Sequence, residues 1–289
     1  MLFRSCPVPP PSPLPELPSP AAAATHGARR GRGTTRSLAL AALGLAVAVA
    51  GLTHEQLRHP LSLPDLGDPL FSMWRMSSVA HQLTTKPTEL FETNIFHGEG
   101  LTLTLSDPMI LPAVAQMPLR ALGLHPVLAY NVLLLAAIWL SGVTAYMLLT
   151  ELTGSALAGF VADLVFAAYS YRFDHFNHLE LQMTMWMPLA LLALHRWLKG
   201  GRWTSAAALA LCGVAQVYSS LYYSVFLALL LAVVGVGLVV VHRTPLRRLA
   251  VGGVVVLLIA APLAWPVAHA FSAAQAMKGD RSLDEVGYY

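Results

Sequence analysis

Two carboxylates that each precede a proline are the first candidates for chemistry in this chain. Asp68 follows Gly67 near the start of a long polar stretch, and Asp107 lies farther along it. A carboxylate at the mouth of a membrane cavity can take a proton from a reacting hydroxyl. Both residues also have a structural interpretation, because Asp is a good N-cap and Pro suits the first helical position. For Asp68 the two roles are compatible, whereas the cap alone is the favoured interpretation of Asp107.

A second group of polar side chains lies between Tyr171 and Glu180. It contains Asp174, His175 and His178. If this segment is helical, Asp174 and His178 are four residues apart and share a face, with His175 nearby. A carboxylate and imidazoles at that spacing can hold a divalent metal or a phosphate-linked ligand. The alternative is a belt of polar and aromatic anchors at the membrane surface.

The composition indicates which type of protein and which secondary structure position these groups. The chain has 289 residues, of which 56% are hydrophobic and 11% are charged, and its mean hydropathy is +0.59. Soluble proteins carry about 25% charged residues, so the deficit indicates a polytopic membrane protein. The apolar runs are continuous, which favours helices over a barrel of alternating strands. Cys6 lies in the N-terminal tail and Cys212 in an apolar run, which excludes a disulfide framework or a zinc cluster.

Long apolar runs define the predicted membrane helices. There are seven, at about 37–52, 127–149, 156–171, 183–198, 204–220, 222–241 and 249–268. We therefore predict an all-α bundle of about seven transmembrane helices, with residues 53–126 as a large extracytoplasmic loop.

The basic residues predict the orientation of this bundle. They cluster before the first apolar run, after the fourth and after the sixth, which the positive-inside rule assigns to the cytoplasmic side. The proline-rich and basic residues 1–36 are predicted to be a disordered cytoplasmic tail, and residues 37–289 the transmembrane domain. The first apolar run is short, and we favour a retained anchor over a cleaved signal peptide.

Two further features concern single helices. Residues 69–83 have an apolar face at Met73, Met76, Val79 and Leu83 and a polar face at Ser72, Arg75, Ser78 and Gln82, which predicts an amphipathic helix on the membrane surface. Asp163 is the one acid inside an apolar run. An intramembrane carboxylate is costly, so it indicates either a hydrogen bond between packed helices or a functional cavity.

The order of these features resembles the GT-C class of membrane glycosyltransferases, and most closely its uncharacterised bacterial members related to the protein mannosyltransferases. The likeness spans about residues 60–289. The residues that carry it are Gly67-Asp68-Pro69, Asn94-Ile95-Phe96-His97, Ser106-Asp107, Ala129-Tyr130-Asn131, Tyr171-Arg172-Phe173 with His175 and His178, and Tyr222-Tyr223.

The resemblance implies transfer of a sugar from a polyprenyl-phosphate donor to a glycan, lipid or protein acceptor. The reaction would take place at the outer face of the bacterial inner (plasma) membrane, with membrane lipid as a partner and no nucleic acid. Asp68 would be the catalytic base or a metal ligand, and Asp174 a second acidic position. A divalent metal, Mg²⁺ or Mn²⁺, is left open.

We place the remaining polar candidates in the substrate site. They are Arg172, Asp174, His175, His178, Asp107 and His97, with Arg172 as the preferred cation for the leaving phosphate. Proteins of this class usually continue beyond the position of Tyr289, so the resemblance also implies a truncated product. The alternative function is a transporter or lipid flippase without catalytic activity, although the sequence shows neither an internal repeat nor matched helix breaks.

Overall fold

The computed structural model describes residues 20–96 and 98–278, with side chains from Thr35 to Met277. In this part of the chain every regular element is a helix, which confirms the predicted all-α class. The α-helices are α1 (Pro20–Leu52), α2 (His54–Arg58), α3 (Asp68–Thr85), α4 (Ile110–Ala121), α5 (Pro126–Thr153), α6 (Ala156–Ala168), α7 (Ser170–Asp174), α8 (Leu179–Gln182), α9 (Trp186–Gly200), α10 (Trp203–Ser219), α11 (Leu221–His242) and α12 (Leu246–Lys278).

Several of these helices have the dimensions of membrane spans. Five segments of the described chain are long and apolar enough to cross a bilayer: Thr35–Leu52, Pro126–Thr153, Ala156–Asp174, Leu221–His242 and Leu246–Met277. The other two predicted spans correspond to α9 and α10, which have 15 and 17 residues. At about 1.5 Å per residue they fall short of a hydrocarbon core about 30 Å thick. The chain is thus a helical, multi-pass membrane protein, while the count of seven spans stays a prediction.

The first helix begins earlier than the first apolar run. Because α1 starts at Pro20, residues 20–36 of the tail that was predicted to be disordered are helical. Residues 1–19 of that tail lie outside the described residues.

Helix α5 lies at the centre of the bundle and packs against α1, α6 and α9. Glycines allow the close approach. A Cβ on Gly142 would lie 2.5 Å from Cδ2 of Leu45 in α1 and 3.0 Å from the carbonyl oxygen of Asp163 in α6. A Cβ on Gly159 in α6 would overlap the Thr150 hydroxyl of α5. Small residues at such contacts are typical of helices that pack in lipid.

The two ends of the bundle differ in charge. At one end, the α9–α10 turn meets the α11–α12 turn, where Nη1 of Arg248 donates hydrogen bonds to the carbonyl oxygens of Leu198 and Lys199 at 2.9 and 3.0 Å. We call this the basic end. At the opposite end, which we call the polar end, the loop from residue 53 to 109 meets the segment 175–185 and the α10–α11 turn.

Helix α3 lies at the polar end and confirms the helix predicted over residues 69–83. Its predicted polar face was wrong in part. Ser72 and Arg75 are buried together with Met76 and Val79, because they face α8 and the segment before α4 rather than solvent. The location of this helix on a membrane surface stays a prediction.

Candidate functional site

Asp68 meets the second polar loop at the polar end. Its Oδ2 lies 3.4 Å from Nε2 of His178 and 3.4 Å from Nδ2 of Asn177. Asn177 donates a shorter hydrogen bond, of 2.6 Å, to Oδ2 of Asp65. The Asp68 side chain is 46% exposed, so solvent reaches the carboxylate while its protein contacts hold it in place. Two loops that are more than 100 residues apart in sequence therefore converge on one carboxylate.

Asp68 is not the cap of α3. The N-cap position is Gly67, and no side chain makes a capping hydrogen bond there. Asp65 instead stabilises the turn that precedes the helix, since its Oδ1 accepts a hydrogen bond of 2.7 Å from the Gly67 amide. Asp68 lies in the first turn, where a negative charge is favoured by the helix dipole. Its oxygens remain available to the second loop.

A buried ion pair lies behind this contact. Oε1 of Glu180 is 3.1 Å from Nη2 of Arg75 and 3.9 Å from Nδ1 of His178. Arg75 also donates to the Ser72 hydroxyl at 2.8 Å and to the Asp107 carbonyl at 3.0 Å. The Arg75 side chain is 3% exposed and that of Glu180 is 12% exposed. Nε of Arg75 and Oε2 of Glu180 have no hydrogen-bond partner among the described residues.

Asp107 caps a helix, but not the one that follows it. Helix α4 has Met109 as its N-cap, in the left-handed conformation (φ 50°). The Asp107 carboxylate instead accepts hydrogen bonds at the start of α11, from the Leu221 amide at 2.5 Å and the Ser220 hydroxyl at 3.0 Å. Burial raises the pKa of the Asp107 carboxyl above its usual range, and these two hydrogen bonds oppose that effect. The predicted capping role is thus realised at a distant helix.

The helical face predicted for Asp174 and His178 does not form. Helix α7 ends at Asp174, and His178 is the residue before α8. Gln182 ends α7 by donating hydrogen bonds to the carbonyl oxygens of Arg172 and His175 at 3.0 and 2.8 Å. Asp174 is exposed, and its role as a second acidic position stays a prediction.

Four rings form a continuous row along this segment. The ring centroids of Tyr169 and Tyr171 are 6.1 Å apart, those of Tyr171 and His175 are 4.0 Å apart, and those of His175 and His178 are 5.9 Å apart. We call these four residues the aromatic row. It ends at Asp68, which His178 contacts.

Arg172 occupies a different environment from the one predicted. The side chain is buried, with the residue 1% exposed, and its guanidinium donates to the carbonyls of Phe166 and Gln182, to Oε1 of Gln182 and to the Thr184 hydroxyl. These bonds occupy all three of its nitrogens. Arg172 therefore joins α6, α7 and the segment after α8, and a phosphate would have to displace protein acceptors to bind it.

The motif residues Tyr130 and Asn131 position the loops. The Tyr130 hydroxyl donates to the Asn177 carbonyl at 2.9 Å. Nδ2 of Asn131 donates to the carbonyl oxygens of Pro60 and Ser62 at 2.8 and 2.9 Å. Helix α5 thus holds one loop at each side of the Asp68 contact. The remaining sequence candidate, His97, lies outside the described residues.

No metal-binding group is evident in the part of the chain that the structure describes. Within it, no three His, Cys, Asp or Glu side chains are arranged to hold an ion. Asp65 and Asp68 both direct a carboxylate oxygen at Asn177, and the dependence of this site on Mg²⁺ or Mn²⁺ stays a prediction.

Three residues of this site were missed by sequence reasoning: Asp65, Asn177 and Glu180. Asp65 lies three residues before Asp68, and Asn177 and Glu180 lie on either side of His178 in sequence. The signal that could have identified them is their position in the sequence, close to Asp68 and His178. Compared with known protein families, curated proteins and solved structures, the chain has no significant match.

Proposed function

We propose that this chain is a GT-C type membrane glycosyltransferase that uses a polyprenyl-phosphate sugar donor and an acceptor on the outer face of the membrane. The observation that carries the proposal is the contact of half-exposed Asp68 with His178, at the end of the aromatic row. Rings of this kind offer flat apolar faces with polar edges. Such faces suit the C–H face of a sugar ring, next to a carboxylate that can act as a base.

The reaction we propose is a direct displacement at the anomeric carbon. The acceptor oxygen forms a bond to that carbon as the bond from carbon to the phosphate oxygen breaks, and the phosphate leaves with the electron pair. Asp68 takes the proton of the acceptor hydroxyl. Asn177 and His178 are positioning residues in this scheme, because their contacts fix the carboxylate relative to the second loop.

The leaving phosphate requires positive charge nearby. Arg172 and Arg75 already bind protein acceptors, so we assign the contact with the phosphate oxygens to the imidazole of His175, which lies next to His178 in the aromatic row. His178 is held between Asp68 and Glu180, at 3.4 and 3.9 Å, and therefore stays a positioning residue.

An apolar cavity near this network suits a lipid chain. Its volume is about 210 Å³, and it lies between α4, α5 and the segment that precedes α9. Leu133, Ala137 and Trp186 line it, together with Ser219, which precedes the Ser220 bound to Asp107. A cavity of this size accommodates part of a prenyl chain whose headgroup remains at the polar end.

The decisive experiment is Asp68→Asn in the full chain, assayed for transfer from a polyprenyl-phosphate sugar in membrane vesicles. Losing a general base typically lowers the rate about 10²–10⁴-fold. The matched control is Glu89→Gln, an exposed acid in the same loop that pairs only with Lys86, and it should transfer at the wild-type rate. Asp174→Asn tests the second acidic position separately. Wild-type transfer by Asp68→Asn would contradict the proposal.

One observation favours the alternative, a transporter or flippase. Asp163 in α6 is 0% exposed, and neither of its carboxylate oxygens has a hydrogen-bond partner among the described residues. The packing hydrogen bond that was one interpretation of this residue is therefore not formed. A transporter predicts that Asp163→Asn stops lipid movement driven by a proton gradient, while Asp68→Asn leaves it intact.

A further inference from the structure

A large cavity lies at the basic end, far from the proposed reaction. Its volume is about 620 Å³, and α5, α9 and α10 form its walls. Apolar side chains line the part within the bundle: Met147, Leu189, Leu192 and Cys212. The basic residues Arg196, Lys199 and Arg202 line its mouth. Along α9, about 15 Å of helix separates Leu189 from Lys199, so the lining changes from apolar to cationic over the depth of half a bilayer.

The charges at the mouth are only partly compensated. Arg196 forms an ion pair of 2.7 Å with Glu151 at the end of α5. Lys199 is exposed, and its ammonium makes no ion pair or hydrogen bond in the described part of the chain. The Arg202 guanidinium is likewise exposed and unpaired there. Two cations at the rim are therefore available to an anionic ligand.

A neighbouring cavity extends the positive surface. It has a volume of about 420 Å³ and shares Gly200 with the first cavity. Arg247, Arg248, Trp197 and Trp203 are among its lining residues. Glu151 is the one carboxylate among the described residues that line the two cavities. Tryptophan beside clustered Lys and Arg is typical of the level of lipid headgroups.

We propose that the larger cavity binds an anionic phospholipid. Lys199 and Arg202 bind the headgroup phosphate, and one acyl chain lies along Met147, Leu189 and Cys212. A free phosphate shares the headgroup chemistry, but it would leave the apolar wall uncovered. Basic pockets between membrane helices that open toward apolar depth are suited to such lipids. This site is separate from the Asp68 site, and it stands whether or not the chain transfers a sugar.

The first test is native mass spectrometry of the full chain in detergent with dioleoyl phosphatidylglycerol or dioleoyl phosphatidylcholine. We expect preferential retention of the anionic lipid. A cation near a lipid phosphate is worth about a fivefold change in affinity, so Lys199→Gln with Arg202→Gln should lower the preference about 25-fold. The control is Arg58→Gln with Lys86→Gln, two exposed cations remote from both cavities, which should keep the preference.

The second test locates the acyl chain. In a Cys6→Ser background, Cys212 is the only thiol of the chain and lines the cavity wall. Phosphatidylglycerol should slow its labelling by an N-alkyl maleimide, whereas inorganic phosphate and phosphatidylcholine should not. Equal retention of the two lipids, an unchanged preference in the Lys199 and Arg202 variant, or equal protection by inorganic phosphate would each overturn the proposal.

Discussion

At the scale of single residues, Arg75 and Glu180 have the strongest effect on how the loops of the site are held together. They join α3 to α8 across 105 positions of sequence and are the most buried ion pair in the described part of the chain. A buried pair adds little net stability over an apolar pair of the same shape, but removing one partner leaves a buried charge without compensation. The pair therefore holds the two loops of the Asp68 site in one arrangement.

Glu180→Gln should destabilise the protein by about 3–5 kcal/mol, because the Arg75 charge loses its partner. Thermal unfolding in detergent measures the change. The exposed pair Lys86 and Glu89 supplies the control, since Glu89→Gln should change stability by about 0–1 kcal/mol. The double variant Arg75→Met with Glu180→Leu should recover most of the loss, and equal destabilisation by the single and double variants would refute this account.

Asp107 should make stability depend on pH. Its pKa is raised in the folded state, so the folded chain binds the proton more tightly than the unfolded chain. The stabilising contribution is complete below the unfolded pKa of about 3.9 and is lost as pH rises through the folded pKa. Comparing the melting temperatures of wild type and Asp107→Asn from pH 4 upward checks this. The wild type should lose stability relative to the variant as pH rises, and a constant difference would contradict it.

At the scale of helices, α12 approaches α9 closely at Gly252. A Cβ on Gly252 would overlap the indole ring of Trp197, which is part of the core between α9 and α10. The next residue, Gly253, has no atom within 4 Å of the same added carbon. Two adjacent glycines in one helix therefore differ in whether a methyl group fits.

Gly252→Ala should destabilise the protein by about 1–3 kcal/mol, because the indole ring or α12 must move. Gly253→Ala is the matched control, and it should be neutral or stabilising by up to about 1 kcal/mol through helix propensity. Thermal unfolding of the two variants in the same detergent distinguishes them. Equal melting temperatures would show that the helices are not in close contact here.

The spacing of apolar residues predicted where helices form, but it did not predict which distant segments those helices contact. The apolar repeat of α3 correctly indicated a helix, yet Arg75 is buried because its partner, Glu180, comes from a distant segment. The spacing of Asp174 and His178 assumed a continuous helix, but the helix ends where Gln182 binds the carbonyl oxygens of Arg172 and His175. The spacing of residues within one segment does not predict contacts with distant segments.

At the scale of the whole molecule, the basic turns share one end and the candidate site lies at the other. The side of the membrane on which each end lies stays a prediction, made from the distribution of charge. A chain with Cys6→Ser and Cys212→Ser should be labelled from the outer face at Glu99→Cys and not at Lys199→Cys, both of which replace exposed residues. A membrane-impermeant maleimide on intact cells makes the measurement, and the reverse pattern would refute the topology.

The sequence predicted the class of fold and named both residues of one central contact of the site. Composition and apolar runs were sufficient for a helical membrane bundle, and the candidates Asp68 and His178 are in contact in the structure. The partners of Arg172 and Asp107 were not predictable. Both residues bind backbone groups whose positions depend on how the finished bundle packs.

The bond between Asp107 and the start of α11 has a consequence for how the protein is made. The carboxylate and the Leu221 amide are separated by 114 residues, and synthesis proceeds at about 5–20 residues per second. The Asp107 carboxylate therefore forms this bond at the earliest about 6–23 seconds after Asp107 is added to the chain. During that interval water satisfies the carboxylate, so the contact between the loop and α11 forms only after the later helices have been made.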